Sequence, residues 1–95
     1  MPVVMKMKWD GVTPEQYDDA REKVRWEQEP AEGGLHHVAW FENGALMVID
    51  VWETAEDFQR FVDQRLMPGV EAIGIPGQPE VDIQPVHAVF DPPHA

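Results

Sequence analysis

Apolar and polar residues alternate at the start of the chain. Val3, Met5, Met7 and Trp9 hold the odd positions, with Val4, Lys6 and Lys8 between them. Period two is the mark of a strand with one buried face. Asp10-Gly11 breaks the pattern, and from Thr13 the period changes. Tyr17, Ala20 and Val24 recur at spacings of three and four, which sets them on one face of a helix. Thr13 is placed to cap that helix, Pro14 suits its first turn, and Gln16 completes a capping box. Trp26 is expected to cover the helix end. Glu27 to Gly34, with Pro30, Gly33 and Gly34, reads as a loop.

Two strands follow, Leu35 to Phe41 and Ala45 to Trp52, joined by Asn43-Gly44. A two-residue type I′ turn there sets Glu42 against Ala45. Counting outward, Trp40 meets Met47, Val38 meets Ile49, His37 meets Asp50, and Leu35 meets Trp52. One face carries Leu35, His37, Ala39, Phe41, Leu46, Val48, Asp50 and Trp52. The other carries His36, Val38, Trp40, Met47, Ile49 and Val51. Both faces are largely apolar, whereas an antiparallel sheet wetted on one side shows a polar set there. The helices cover one face. In so short a chain the other calls for a second subunit, which predicts a homodimer through Val38, Trp40, Met47, Ile49 and Val51.

Thr54 caps a second helix, 55–67, with Glu56 and Asp57 in the first turn where the helix dipole favours acids. Phe58, Phe61, Val62 and Leu66 form its apolar stripe. Pro68-Gly69 is expected to interrupt it, with Val70 to Ile75 as a short further turn. Pro76 to Pro79 reads as a loop and Val81 to Phe90 as the last strand, with Pro85 at an edge or bulge. The order strand, helix, strand, strand, helix, strand is the ferredoxin-like split pattern. The expected fold is therefore α+β: a ferredoxin-like βαββαβ domain over residues 1–90, with a four-stranded antiparallel sheet. Two such sheets would pack into a dimeric α/β barrel. Residues 91–95 read as a loose tail.

Composition narrows the chemistry. The formal charge is −11, from 18 acidic and 7 scattered basic side chains, which opposes nucleic-acid phosphates and anionic membranes. The chain has no Cys, so disulfides, thiolate nucleophiles and Cys-ligated zinc are excluded. Ser is absent too, and Thr13 and Thr54 are taken up as caps. Met-Pro-Val-Val-Met-Lys reads as neither a signal peptide nor a membrane span, and a cytoplasmic location is expected. What remains is His, carboxylate, Tyr17 or a bound group.

Val51-Trp52-Glu53-Thr54, followed by Glu56-Asp57-Phe58, resembles the strand–helix junction of dimeric α/β-barrel proteins of the antibiotic-biosynthesis monooxygenase type. The heme-degrading monooxygenases of that superfamily carry a similar Trp-Glu-Ser…Phe stretch. The topology matches along the whole chain, and residues match closely from Asp50 to Phe61. The resemblance implies that Trp52 lines a cavity between sheet and helices, shared with His37 and Asp50. Tyr17, Phe58 and Phe61 would line it as well. Heme degradation is not implied: the second helix has no His, and Phe61 stands near the position of the family's iron ligand. No cofactor is called for.

His37 and Asp50 are the candidate catalytic pair. A carboxylate beside an imidazole fixes its tautomer and strengthens it as a base. The same pair also serves as a cross-strand contact that satisfies two half-buried groups. Trp52 and Tyr17 serve a core as readily as a ligand. His36 is assigned to the dimer face and His87 to the vicinity of the pocket mouth. A metal site is not expected, because adjacent His residues on a strand face opposite ways. The resemblance implies a cofactor-independent monooxygenase or cyclase acting on a small aromatic or polyketide-like compound, with His37 as base. The alternatives are a non-catalytic ligand-binding or accessory protein, and a dimeric protein whose interior is filled by its own side chains.

Overall fold

The computed structural model describes residues 2–90. Strand β1 (Val3–Asp10) leads through the capped turn at Thr13 into helix α1 (Pro14–Val24). Strands β2 (Gly34–Glu42) and β3 (Ala45–Trp52) form the hairpin. Helix α2 (Ala55–Phe61), a π-helical turn (Val62–Leu66) and helix α3 (Met67–Ile73) follow, and strand β4 (Glu80–Pro85) ends the fold. All neighbours in the sheet are antiparallel, in the order β2-β3-β1-β4. This is the ferredoxin-like arrangement that the alternation of periods predicts.

Local chemistry explains the boundaries. Thr13 Oγ1 accepts from the Gln16 amide at 3.1 Å, and the Gln16 side chain accepts from the Thr13 amide at 3.0 Å, so the capping box closes in both directions. Thr54 Oγ1 caps α2 through the Asp57 amide at 3.0 Å. Asn43 and Gly44 both take positive φ, 51° and 77°, as a type I′ turn requires. That turn sets the hairpin register: His37 pairs with Asp50, Val38 with Ile49 and Trp40 with Met47.

The helices cover the face bearing Met5, Met7, Trp9, Leu46, Val48 and Trp52, and Val12, Phe58 and Val70 complete the buried core. Each fully buried side chain of this kind contributes about 1.5–3 kcal/mol. Gly69 lets α3 approach α1, because a Cβ there would lie 2.7 Å from Val24 Cγ2. The outer face keeps its apolar stripe uncovered: Val38 is 58% exposed, and Trp40 and Ile49 are exposed beside it. Towards β4 that face turns charged, with Lys6 opposite Asp82 and Lys8 opposite Glu80.

Three expectations are corrected. Leu35 does not pair with Trp52. Gly34 does, and the register slips between Gly34 and His36, so Leu35 is the extra residue of a β-bulge. Pro68-Gly69 does not interrupt the second helix. The π-helical turn precedes it, with the Met67 amide bonding back to Val62. That wider turn shifts the hydrogen-bond ladder just before Pro68, which has no N–H to give, and the helix continues as α3. The last strand ends at Pro85 rather than Phe90. Proline cannot donate to a ladder, and here it closes an edge strand. Residues 91–95, read as a loose tail, lie outside the described residues.

Candidate functional site

Between the sheet and the helices lies a cavity of about 220 Å³. Its walls are mostly core side chains of both layers, including Trp9, Leu46, Val48, Trp52 and Phe58. Polar groups are few and gather at one place. Asp50, on β3, is 7% exposed and faces the helices. Its Oδ1 lies 2.6 Å from His37 Nδ1, and its Oδ2 accepts from Trp52 Nε1 at 3.2 Å. His37 Nε2 in turn lies 2.7 Å from Tyr17 Oη. Three elements, β3, β2 and α1, thus contribute to one chain of hydrogen bonds ending on a phenol.

The partners define the protonation pattern. An ionised carboxylate only accepts, so Asp50 takes the Trp52 N–H and the His37 Nδ1–H. In a neutral imidazole this leaves Nε2 as an acceptor, and Tyr17 donates its O–H there. Burial pushes the Tyr17 phenol above its ordinary value; Arg21 opposes this, while the carboxylates Asp50, Glu27 and Asp18 reinforce it. Glu27 is held below the usual carboxylate range by its hydrogen bond to Arg21, with a smaller pull in the same direction from His37. The Arg21–Glu27 contact is bidentate, with Nη2 to Oε2 at 2.9 Å.

The structure brings His37, Asp50, Trp52, Tyr17, Phe58 and Phe61 to one cavity. Trp52 packs between Phe58, 5.6 Å away centroid to centroid, and Phe61 at 5.5 Å. His36 differs from expectation. Its strand partner Val51 belongs to the outer face, yet beside the bulge His36 contributes to the cavity wall. His87 lies exposed beyond the end of β4 and takes no part in the wall. Among the described residues no group of three or more His, Cys, Asp or Glu is placed to hold a metal ion.

Trp26 is a wall residue that sequence reasoning missed. Its ring lies 5.7 Å from Tyr17 and 5.6 Å from His37, so it roofs the polar end of the cavity. The cause is Arg25, which takes the left-handed conformation at the helix C-terminus, with φ 61°, and turns the chain back over α1. Glycine or asparagine usually marks that turn, so an arginine gives no signal of it. Gly33 holds the other end of the loop. It takes φ +82°, a Cβ there would overlap the Asp57 side chain, and its carbonyl accepts from the Glu53 amide at 2.8 Å.

No protein-family model matches the chain, and no curated protein matches it. Solved structures do. SnoaB, a cofactor-independent oxygenase from Streptomyces nogalater, superposes with a TM-score of 0.66 at 14% identity, over 94% of this chain and 95% of that one. A monooxygenase from the gene ActVA-Orf6 of Streptomyces coelicolor, in complex with the ligand nanaomycin D, gives 0.63 at 18% identity, over 95% and 91%. The NE2512 protein of unknown function from Nitrosomonas europaea gives 0.71 at 13% identity, over 98% and 96%. The likeness at these identities is one of fold: this chain has the ferredoxin-like fold of antibiotic-biosynthesis monooxygenase-like proteins. Among the described residues no helix is long and apolar enough to cross a membrane.

Proposed function

We propose that this protein binds a small aromatic or polyketide-like compound in the cavity between sheet and helices and removes a proton from it, with His37 as the base that finally holds the proton. The observation that carries this reading is the hydrogen-bonded sequence Tyr17–His37–Asp50 at the polar end of an otherwise apolar cavity. The apolar walls favour a planar hydrophobic ligand, and the single polar cluster orients one ionisable hydroxyl. The base reaches its working state without a metal: the imidazole takes the proton, and Asp50 stabilises the imidazolium. The resulting phenolate or enolate then reacts with dioxygen, as a cofactor-independent monooxygenase, or with its own carbonyl, as a cyclase. The neighbours SnoaB and the ActVA-Orf6 monooxygenase support the oxygenase outcome by fold.

Two copies would assemble through the outer sheet face, around Val38, Trp40, Met47, Ile49 and Val51. The support is the exposure of that apolar stripe in a chain too short to cover it. The functional test is incubation with a panel of phenolic and hydroxyquinone polyketides under air, following oxygen uptake and product formation. Turnover that His37→Ala abolishes supports the reading. Binding without turnover across the panel identifies a non-catalytic binder instead, and absence of binding removes the ligand pocket altogether.

A further inference from the structure

His37 has no nitrogen free for a ligand. Nδ1 lies 2.6 Å from Asp50 and Nε2 lies 2.7 Å from Tyr17 Oη. A base that must touch its substrate cannot spend both nitrogens on the protein. Tyr17 is in the opposite position. It lines the cavity, its one proton points to His37, and its oxygen keeps lone pairs for a second partner. Three rings hold it there. The Tyr17 and His37 rings are parallel within 2° at 6.2 Å, and Trp26 lies tilted against both. Phe41 meets Tyr17 edge-on at 6.3 Å.

From this geometry we infer that Tyr17, not His37, is the residue that exchanges a proton with the ligand, and that His37 and Asp50 act through it as a relay. This rests on the pocket reading proposed above. The step balances as a double proton transfer. The ligand O–H bond breaks and a new O–H bond forms at Tyr17 Oη. The original Tyr17 O–H bond breaks and its proton forms an N–H bond at His37 Nε2. The ligand keeps the electron pair as a phenolate, Tyr17 stays neutral, and the imidazolium is balanced by Asp50. No oxidant or reductant enters.

The relay explains how a half-buried phenol serves as a base. Burial and the neighbouring carboxylates Asp50, Glu27 and Asp18 resist a tyrosinate, with Arg21 alone pulling the other way. A concerted relay never forms one, because Tyr17 receives a proton as it gives one up. The ligand class follows: a neutral compound with an acidic hydroxyl that reaches Oη while its rings lie against the apolar walls. Among the titratable residues lining the cavity, Tyr17, His36, His37 and Asp50, there is no Lys or Arg, so nothing there selects a carboxylate or phosphate.

The test uses the full chain and 4-nitrophenol, whose colour reports its ionisation. Bound to the wild type, the probe should ionise more readily than in free solution. Tyr17→Phe should lower the ionisation constant of the bound probe about tenfold, the scale of one lost hydrogen bond to a charged group. His37→Gln should lower it equally, and the double variant no further, because the two act in series. A bound probe that ionises in Tyr17→Phe as well as in the wild type, or better, overturns the relay and makes His37 the direct base. Failure of the wild type to bind the probe removes the pocket reading and the relay with it. Nitrogen NMR of His37 in the unliganded protein provides a measurement that needs no variant. The relay requires the neutral ring to carry its proton on Nδ1, and a proton on Nε2 refutes it.

Discussion

Asp50→Ala and Asp50→Asn should part company, and the difference can be worked from two hydrogen bonds. Asp50 is nearly buried and accepts from two donors, Trp52 Nε1 at 3.2 Å and His37 Nδ1 at 2.6 Å. Alanine removes both acceptors. The His37 side chain is 35% exposed and can turn its nitrogen to water. Trp52 is 4% exposed and cannot. A buried donor left unpaired costs about 1–3 kcal/mol. The desolvation cost of the carboxylate itself is recovered when it is removed, which keeps the net figure near the lower half of that range or about its middle. A loss of about 2 kcal/mol corresponds to roughly 8–16 °C in Tm for a domain of this size. Asparagine keeps one acceptor oxygen for Trp52 and presents an N–H to His37. The imidazole answers by moving its proton to Nε2, and Tyr17 becomes an acceptor. Asp50→Asn should therefore stay within about 1 kcal/mol of the wild type, the scale of one hydrogen bond. It should nevertheless lose the direction of the relay. Urea melts at one protein concentration, followed by tryptophan fluorescence, measure the first claim, and nitrogen NMR of His37 measures the second. Equal stability of Asp50→Ala and wild type, or an unchanged His37 tautomer in Asp50→Asn, would refute the reasoning.

Tyr17 is the chain's single tyrosine, so its titration can be read without assignment. Tyrosinate absorbance should give a midpoint above the ordinary 10.0 in native buffer and near it in denaturant, because burial favours the neutral phenol in the folded state. A folded value raised above the unfolded one means that the associated stability is present below pH 10 and is lost as pH rises through the folded value. Tyr17→Phe should flatten that alkaline decline, and identical midpoints in the two solvents would contradict the burial. At the outer face, Ile49→Asp should convert a dimer to monomer or aggregate. Light scattering that finds the wild type monomeric at micromolar concentration removes the proposed assembly.

Much of the fold was legible because each level of the sequence points the same way. The period changes from two to three or four at Thr13 and again at Thr54, and both residues turn out to be caps. The Asn43-Gly44 turn carried the most information, since a two-residue loop admits one register, and that register alone brings His37 to Asp50. The failures have a common origin in backbone features without a dedicated residue type. The bulge at Leu35 follows a glycine pair that reads equally well as a loop. The π-helical turn absorbs Pro68, where a proline normally signals an end. Arg25 makes the left-handed turn that a glycine would have announced, so the sequence pattern leaves Trp26 at the helix end. The Tyr17 contact was half legible. Its place on the inner face of the first helix followed from periodicity, but its bond to His37 depends on the angle at which that helix crosses the sheet.

The polar cluster gives the site its meaning through what surrounds it. A core residue needs no carboxylate to be stable, and well-packed apolar groups in place of buried charges are often neutral or better. Trp52 needs one acceptor for its N–H, yet Asp50 offers a charge and a second oxygen, and the second oxygen goes to a histidine rather than to backbone. His37 then bonds a tyrosine that also lines the cavity. The cluster runs from Asp50, 7% exposed, through the more exposed His37 to the half-buried Tyr17 phenol. It continues across three secondary-structure elements and ends on an ionisable oxygen in an apolar space. On the proposed function, these groups supply a base braced by a carboxylate beside an apolar space, with a phenol between base and ligand.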